Sequence, residues 1–145
     1  MTLVVIGPVT HDFVVIGGEE SHKVGGATYF QSFVFEEFHN DYVAIVNCSD
    51  DKLIEEFPSR DKVKVIRKDD THFFINNYPS RDDLNTREQL SNFADIAILP
   101  SDLEEILPCE IDGFVLNPLN RFDFPAETVE YLKNDVERLF FSLEK

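Results

Sequence analysis

Two runs of β-branched residues and a glycine pair, all within residues 3–35, constrain this chain more than any other feature. Leu3-Val4-Val5-Ile6 is closed by Gly7-Pro8, and Phe13-Val14-Val15-Ile16 is closed by Gly17-Gly18. Four consecutive apolar residues suit a strand covered on both faces, as in a parallel sheet, and Gly-Pro stops it. Gly17-Gly18 is a hairpin signal, so residues 12–16 are expected to pair antiparallel with residues 21–24. Gly25-Gly26-Ala27 then leads into a helical pattern. The glycines let the backbone approach a neighbour or ligand that a Cβ would block. A helix starting there offers free N–H groups to hydroxyls or anions. A Gly-Gly pair before a helix also has a plain reading as turn or packing geometry.

Strands and helices alternate through the rest of the chain. Residues 27–39 place Tyr29, Phe30, Phe33, Val34 and Phe38 at near-helical spacing, which predicts an amphipathic helix with a wide apolar face. Residues 42–47 (YVAIVN) read as a buried strand, and Ser49 or Asp50 caps a short helix over 51–57 that Pro58 ends. Residues 63–67 and 71–78 read as strands. Residues 93–99 (FADIAIL) read as a strand closed by Pro100, followed by a short helix over 102–107 capped by Ser101. Residues 114–116 form another short strand, and Pro125 opens a helix running to about Lys133. Residues 136–143 (VERLFFSL) fit either period. The strand–helix alternation before them favours a strand, and the whole pattern predicts an α/β domain with a mainly parallel sheet flanked by helices.

Charge and composition exclude several roles. The 145 residues carry 28 acids against 13 bases, a formal charge of −15. Nucleic acid and anionic membranes need basic patches, so neither is an expected partner. No apolar stretch approaches the roughly 20 residues of a membrane span. Two cysteines, Cys48 and Cys109, without a signal peptide suggest reduced thiols and a cytoplasmic location. The four histidines (His11, His22, His39 and His72) lack metal-ligand spacing, although His11 and His22 fall across the first hairpin from each other. No metal is expected from the sequence.

The opening segment resembles the ribokinase-like (PfkB) carbohydrate kinases. Those proteins begin with a strand, a Gly and a short turn carrying an acid that holds substrate hydroxyls. A β-excursion follows, then a Gly-Gly-Ala signature opening the first helix. The matching pieces here are Val5-Ile6-Gly7, Thr10-His11-Asp12 and Gly25-Gly26-Ala27. The resemblance implies that Asp12, Gly25 and Gly26 bind substrate, a small sugar or nucleoside. It also implies one ribokinase-like α/β domain over residues 1–145, with a small β lid built from strands near 12–24 and 63–78. Such lids pair between subunits, so a homodimer through the lid is implied. An ordinary edge hairpin is the alternative reading of the same residues. Asp123-Phe124-Pro125 matches an acid-x-Pro found in many members, and reads equally as a helix entry.

The resemblance stops halfway. Family members carry a later Asp-Thr-x-Gly-Ala-Gly-Asp type motif, whose glycines form an anion hole and whose last Asp is the base. Residues 1–145 contain no such motif, and Gly113 is the only glycine after Gly26. ATP and Mg are implied for a full-length relative, and no cofactor is expected in this chain. Inside the matching part, Phe30 or its neighbour stands where the family often has a sugar-binding Asn. Asn47-Cys48-Ser49-Asp50 stands for a Gly-x-Asp turn. The expectation is therefore the substrate-binding half of a sugar or nucleoside kinase, inactive as this chain, with no catalytic residue assigned. The alternatives are a non-catalytic binding or dimerisation module, and an unrelated flavodoxin-like domain. The last needs a phosphate loop after the first strand, and Pro8 removes an N–H donor there.

Overall fold

The computed structural model describes residues 1–92, 94–134 and the backbone of 139–141. It contains two sheets. The larger has the order β5-β4-β1-β8-β9, with every neighbouring pair parallel: β1 is Leu3–Ile6, β4 Tyr42–Cys48, β5 Val63–Arg67, β8 Gly113–Leu116 and β9 Leu139–Phe141. The smaller has the order β3-β2-β6-β7, with β2 Thr10–Ile16, β3 Glu19–Gly25, β6 His72–Tyr78 and β7 Glu88–Ser91. Here β2 runs antiparallel to β3 and parallel to β6, and β7 is antiparallel to β6. The Gly17-Gly18 turn that joins β2 to β3 has positive φ at both residues, which glycine adopts without steric cost.

The parallel sheet carries the main core. Val4, Ile6, Ile45, Ile66, Phe114 and Leu116 meet Ile98, Leu103 and Leu132 from the chain that covers one face. At the carboxyl edge a second cluster joins Val9, Val46 and Cys48 to Leu53 and Phe57. The short helix expected over 51–57 is a 3-10 helix over Asp51–Glu56, and Asp50 caps it by accepting the Lys52 N–H. Among the described residues no helix is long and apolar enough to cross a membrane.

Four local expectations are corrected. Helix α1, Ala27–Phe38, buries Ala27, Thr28 and Ser32, not its aromatic stripe. Phe30 is 57% exposed and Phe38 82%. The small residues let the helix sit close to the sheet: a Cβ on Gly7 would stand 2.7 Å from Thr28 Oγ1. Tyr29, Phe33 and Phe57 instead pack edge to face beside it.

Residues 94–99 alternate as a strand would, with Ala94, Ile96 and Ile98 buried, but they join no ladder. Their backbone is satisfied elsewhere: Asn47 Nδ2 donates to Ile96 O, Thr128 Oγ1 donates to Ile98 O, and Ile98 N donates to Asp123 O. Phe93, the first residue of that stretch, lies outside the described residues.

Helix α2 spans Pro100–Leu103, starting before the expected 102. The Asp102 carboxylate accepts the Leu99 N–H from inside its first turn, while Pro100 needs no donor there. Finally, Val63–Arg67 pairs with β4 in the parallel sheet, so of the range 63–78 only His72–Tyr78 belongs to the small sheet. Helix α3, Ala126–Lys133, begins after Pro125 as expected. Of the last segment, the 139–141 part is a strand, and 136–138 and 142–143 lie outside the described residues.

Candidate functional site

Strand β1 lies at the centre of the parallel sheet, and the chain leaves its carboxyl end to build the site. β4 lies on one side of β1 and β8 on the other, which makes a topological switch point, where open α/β sheets bind ligands. Asn117, just past β8, fills the floor of that crevice. It donates to Thr28 Oγ1 at 3.0 Å and Gln31 Oε1 at 3.0 Å, and its carbonyl accepts from Gln31 Nε2 at 3.2 Å.

Above this floor, β2 carries Thr10 and Asp12 on one face by strand alternation. Thr10 is buried and its hydroxyl donates to Asp12 Oδ1 at 2.6 Å. Gly25 lies directly across from Thr10. A Cβ there would meet the Asp12 carboxylate, 2.5 Å from its Cγ, and the Thr10 hydroxyl at 2.8 Å. The missing side chain of Gly25 is therefore the space that the Asp12 carboxylate occupies. Gly26 has φ 102°, and a Cβ on it would run into the Pro8 carbonyl oxygen. Its backbone turns the chain into α1, which no side chain caps.

These residues border a cavity of about 440 Å³. Thr10, Asp12 and Gly26 line one side and Phe74, Asn76 and Gln89 of the small sheet line another. Asn76 Oδ1 accepts from Gln89 Nε2 at 2.9 Å, which fixes both amides across the β6–β7 pair. Phe30, exposed on α1, and Leu119, beyond β8, add apolar walls. Of the three residues singled out from the sequence, Asp12 and Gly26 line the cavity, and Gly25 shapes the Asp12 side chain from behind.

Phe74, Asn76 and Gln89 were not singled out. The amide pair in THFFINNY is visible in the sequence. Which of Asn76 and Asn77 faces the cavity depends on the register of β6 with β2, which puts Phe74 beside Asp12. Phe30 does line the cavity; it or its neighbour stands where the family resemblance expects a sugar-binding Asn.

A second cleft of about 650 Å³ adjoins the first at Asp12, Phe30 and Asn76 and is lined by His11, His22, Lys23 and Asp50 among others. His11 Nδ1 and His22 Nε2 are 2.8 Å apart, and His11 Nε2 is 3.5 Å from Asp50 Oδ2. Burial, and then the neighbouring His22, lower the His11 pKa, while Asp50 and Asp12 oppose the shift.

Asp123 is 1% exposed and its role is structural. Its Oδ1 is 3.1 Å from Nε2 of buried His72, and its Oδ2 accepts the Leu119 and Asn120 N–H groups at 2.6 and 3.0 Å. The acid-x-Pro segment thus ties the start of β6 to the loop after β8 and lends no oxygen to the cavity.

No protein-family model and no curated protein matches the sequence. Solved structures do. One is a pyrophosphate-dependent kinase in the ribokinase family complexed with a pyrophosphate analog and myo-inositol. It is 22% identical, with TM-score 0.73, over 96% of this chain and 48% of that one. A pyrophosphate-dependent myo-inositol-1 kinase converted by mutation into a myo-inositol-3 kinase is 19% identical, with TM-score 0.74, over 96% and 46%. Ribokinase from Thermotoga maritima is 15% identical, with TM-score 0.59, over 97% and 52%. The chain has a ribokinase-like fold and spans about half the length of the kinases it matches, consistent with their N-terminal half.

Proposed function

We propose that this chain is the substrate-holding half of a ribokinase-like kinase and that it binds a small polyol, a sugar or a nucleoside's ribose, on Asp12. The observation that carries this reading is the Asp12 carboxylate, held by Thr10 and backed by Gly25, on the wall of a cavity that also presents the Asn76–Gln89 amide pair. An ionised carboxylate accepts from two hydroxyls at once, and amides set the register of neighbouring ones. Phe30 and Phe74 supply apolar surface for the ring's carbon face. A similar fold complexed with myo-inositol supports the polyol class.

Phosphoryl transfer also needs a cradle for the donor phosphates and a base at the acceptor hydroxyl. The glycines after Gly26 reduce to Gly113, which is spent in β8. These residues do not fit a nucleotide or pyrophosphate donor. The chain is expected to bind the acceptor without phosphorylating it.

Calorimetric titration with myo-inositol, ribose and adenosine tests this reading. One of them is expected to bind 1:1, and Asp12→Asn, which keeps the shape and removes the charge, is expected to weaken it at least tenfold. Equal affinity in the variant would show that Asp12 is not the hydroxyl acceptor.

A second reading, a homodimer through the small sheet, has its own support. Phe13, Val15, Phe73 and Ile75 share the face opposite Asp12 and are only partly buried, and Leu90 on edge strand β7 is 65% exposed. Light scattering on the chain, with Phe13→Ser and Leu90→Ser, tests it: a dimer that both changes dissociate supports the reading, and a monomeric wild type rules it out.

A further inference from the structure

We propose that His11 and His22 form a binding site for a divalent transition-metal ion of the zinc, nickel and copper group, bridging β2 and β3 on the hairpin face opposite Asp12. His22 faces Phe13 across the hairpin, so His11, Phe13 and His22 share one face and their rings pack together. This packing brings His11 Nδ1 within 2.8 Å of His22 Nε2. At this distance, without a metal, one of the two facing nitrogens carries its ring's proton and donates it to the lone pair of the other. A metal ion takes the lone pairs of both facing nitrogens once the donor ring's proton has moved to its other nitrogen. Metal–nitrogen bonds of about 2.0–2.1 Å at a tetrahedral angle put the nitrogens about 3.3 Å apart. The pair must open by about half an ångström, which the rotamers of two partly exposed side chains on a hairpin can absorb.

The surroundings fit the same assignment. His11 Nε2, the nitrogen turned away from His22, lies 3.5 Å from Asp50 Oδ2. A carboxylate on the far nitrogen of a ligating histidine fixes its tautomer and raises its basicity. Among the described residues no set of three or more His, Cys, Asp and Glu converges on one point, so water fills the remaining positions. The open cleft of about 650 Å³ in front of the pair has room for it. Lys23 and Lys52 also line this cleft and oppose a cation, while Asp12, Asp50, Glu55 and Glu56 favour it. Imidazole donors select the later first-row metals over magnesium and calcium, which prefer oxygen.

Zinc titration of the whole chain by calorimetry, with proton release followed in two buffers, tests the site. The expected result is one zinc per chain, with proton release that is small at about pH 7.5 and grows at about pH 6, where the free imidazoles are protonated. His22→Ala, at an exposed position, should weaken binding at least tenfold, and Asp50→Asn about tenfold through the outer partner. With copper, the electron paramagnetic resonance spectrum of the unaltered chain should show coupling to two imidazole nitrogens, a readout that does not depend on any variant folding. Wild-type zinc affinity in His22→Ala would assign the heat to the chain's many carboxylates and overturn the proposal. So would a copper spectrum with oxygen ligands alone, or no zinc heat at all. None of these outcomes bears on polyol binding, which is read with metal chelated.

Discussion

Replacing Gly25 by alanine isolates the geometry on which the candidate site depends. Gly25 is not among the glycines with positive φ, so its backbone suits any L-residue and the effect is steric alone. The added methyl would stand 2.5 Å from Asp12 Cγ and 2.8 Å from Thr10 Oγ1, where carbon contacts settle near 3.5–4.0 Å. The carboxylate must retreat by roughly 1 Å, which breaks the 2.6 Å bond from Thr10. Overpacking of this kind costs about 1–3 kcal/mol. The lost charge-assisted bond, partly exposed to water, adds about 1 kcal/mol. A chain of this size loses about 2–4 °C of melting temperature per kcal/mol, so a fall of about 4–16 °C is expected. Polyol affinity should drop by more than tenfold, which is about 1.4 kcal/mol. Thermal melting and calorimetry on the same sample read both effects. A Gly25→Ala chain that melts and binds like wild type would refute the claim that this glycine makes room for Asp12.

Other expectations follow from burial and charge. Leu116→Ala, in the fully buried centre of the parallel sheet, should cost about 2–5 kcal/mol in urea unfolding, whereas Phe38→Ser, on the exposed stripe of α1, should change stability by less than about 0.5 kcal/mol; equal losses would mean that the stripe is packed after all. Asp123→Ala removes one side of a buried pair with His72 and two backbone bonds to its carboxylate, so a loss of about 3–5 kcal/mol is expected, and a loss under about 1 kcal/mol would count against a structural role. Hydrogen bonds from Tyr42 and Ser59 hold the Glu36 carboxyl below the usual carboxylate range. A depressed acid contributes stability above its unfolded pKa and loses it as pH falls through the folded one. Glu36→Gln should therefore flatten the loss of stability below about pH 4.5, and an unchanged acid limb in denaturation curves at stepped pH would contradict it.

The sequence alone determined the elements whose signals are local. The apolar run of β1, the Gly17-Gly18 hairpin, the glycine-led start of α1 and the Pro125 start of α3 all follow from neighbours a few residues apart, because backbone sterics and short-range hydrogen bonds decide them. Asp12 stood out through a family resemblance: the strand, the Thr10-His11-Asp12 turn and the Gly25-Gly26-Ala27 helix start match the opening of the ribokinase-like kinases.

Tertiary structure decided whatever depends on which surfaces meet. The aromatic stripe of α1 looked like the buried face, yet the helix buries its small residues Ala27, Thr28 and Ser32, with Thr28 packed against Gly7, and Phe30, Phe33 and Phe38 stay exposed. Residues 94–99 have the alternation of a strand, but their partners are the side chains of Asn47 and Thr128 and the backbone of Asp123, and no sequence period encodes those. The second wall of the cavity, Phe74, Asn76 and Gln89, exists only once β6 finds its register beside β2 and β7 pairs with β6. Strand alternation fixes which residues share a face, but a one-residue slip in register would exchange Asn76 for Asn77. Only the long-range pairing of the folded chain removes that ambiguity.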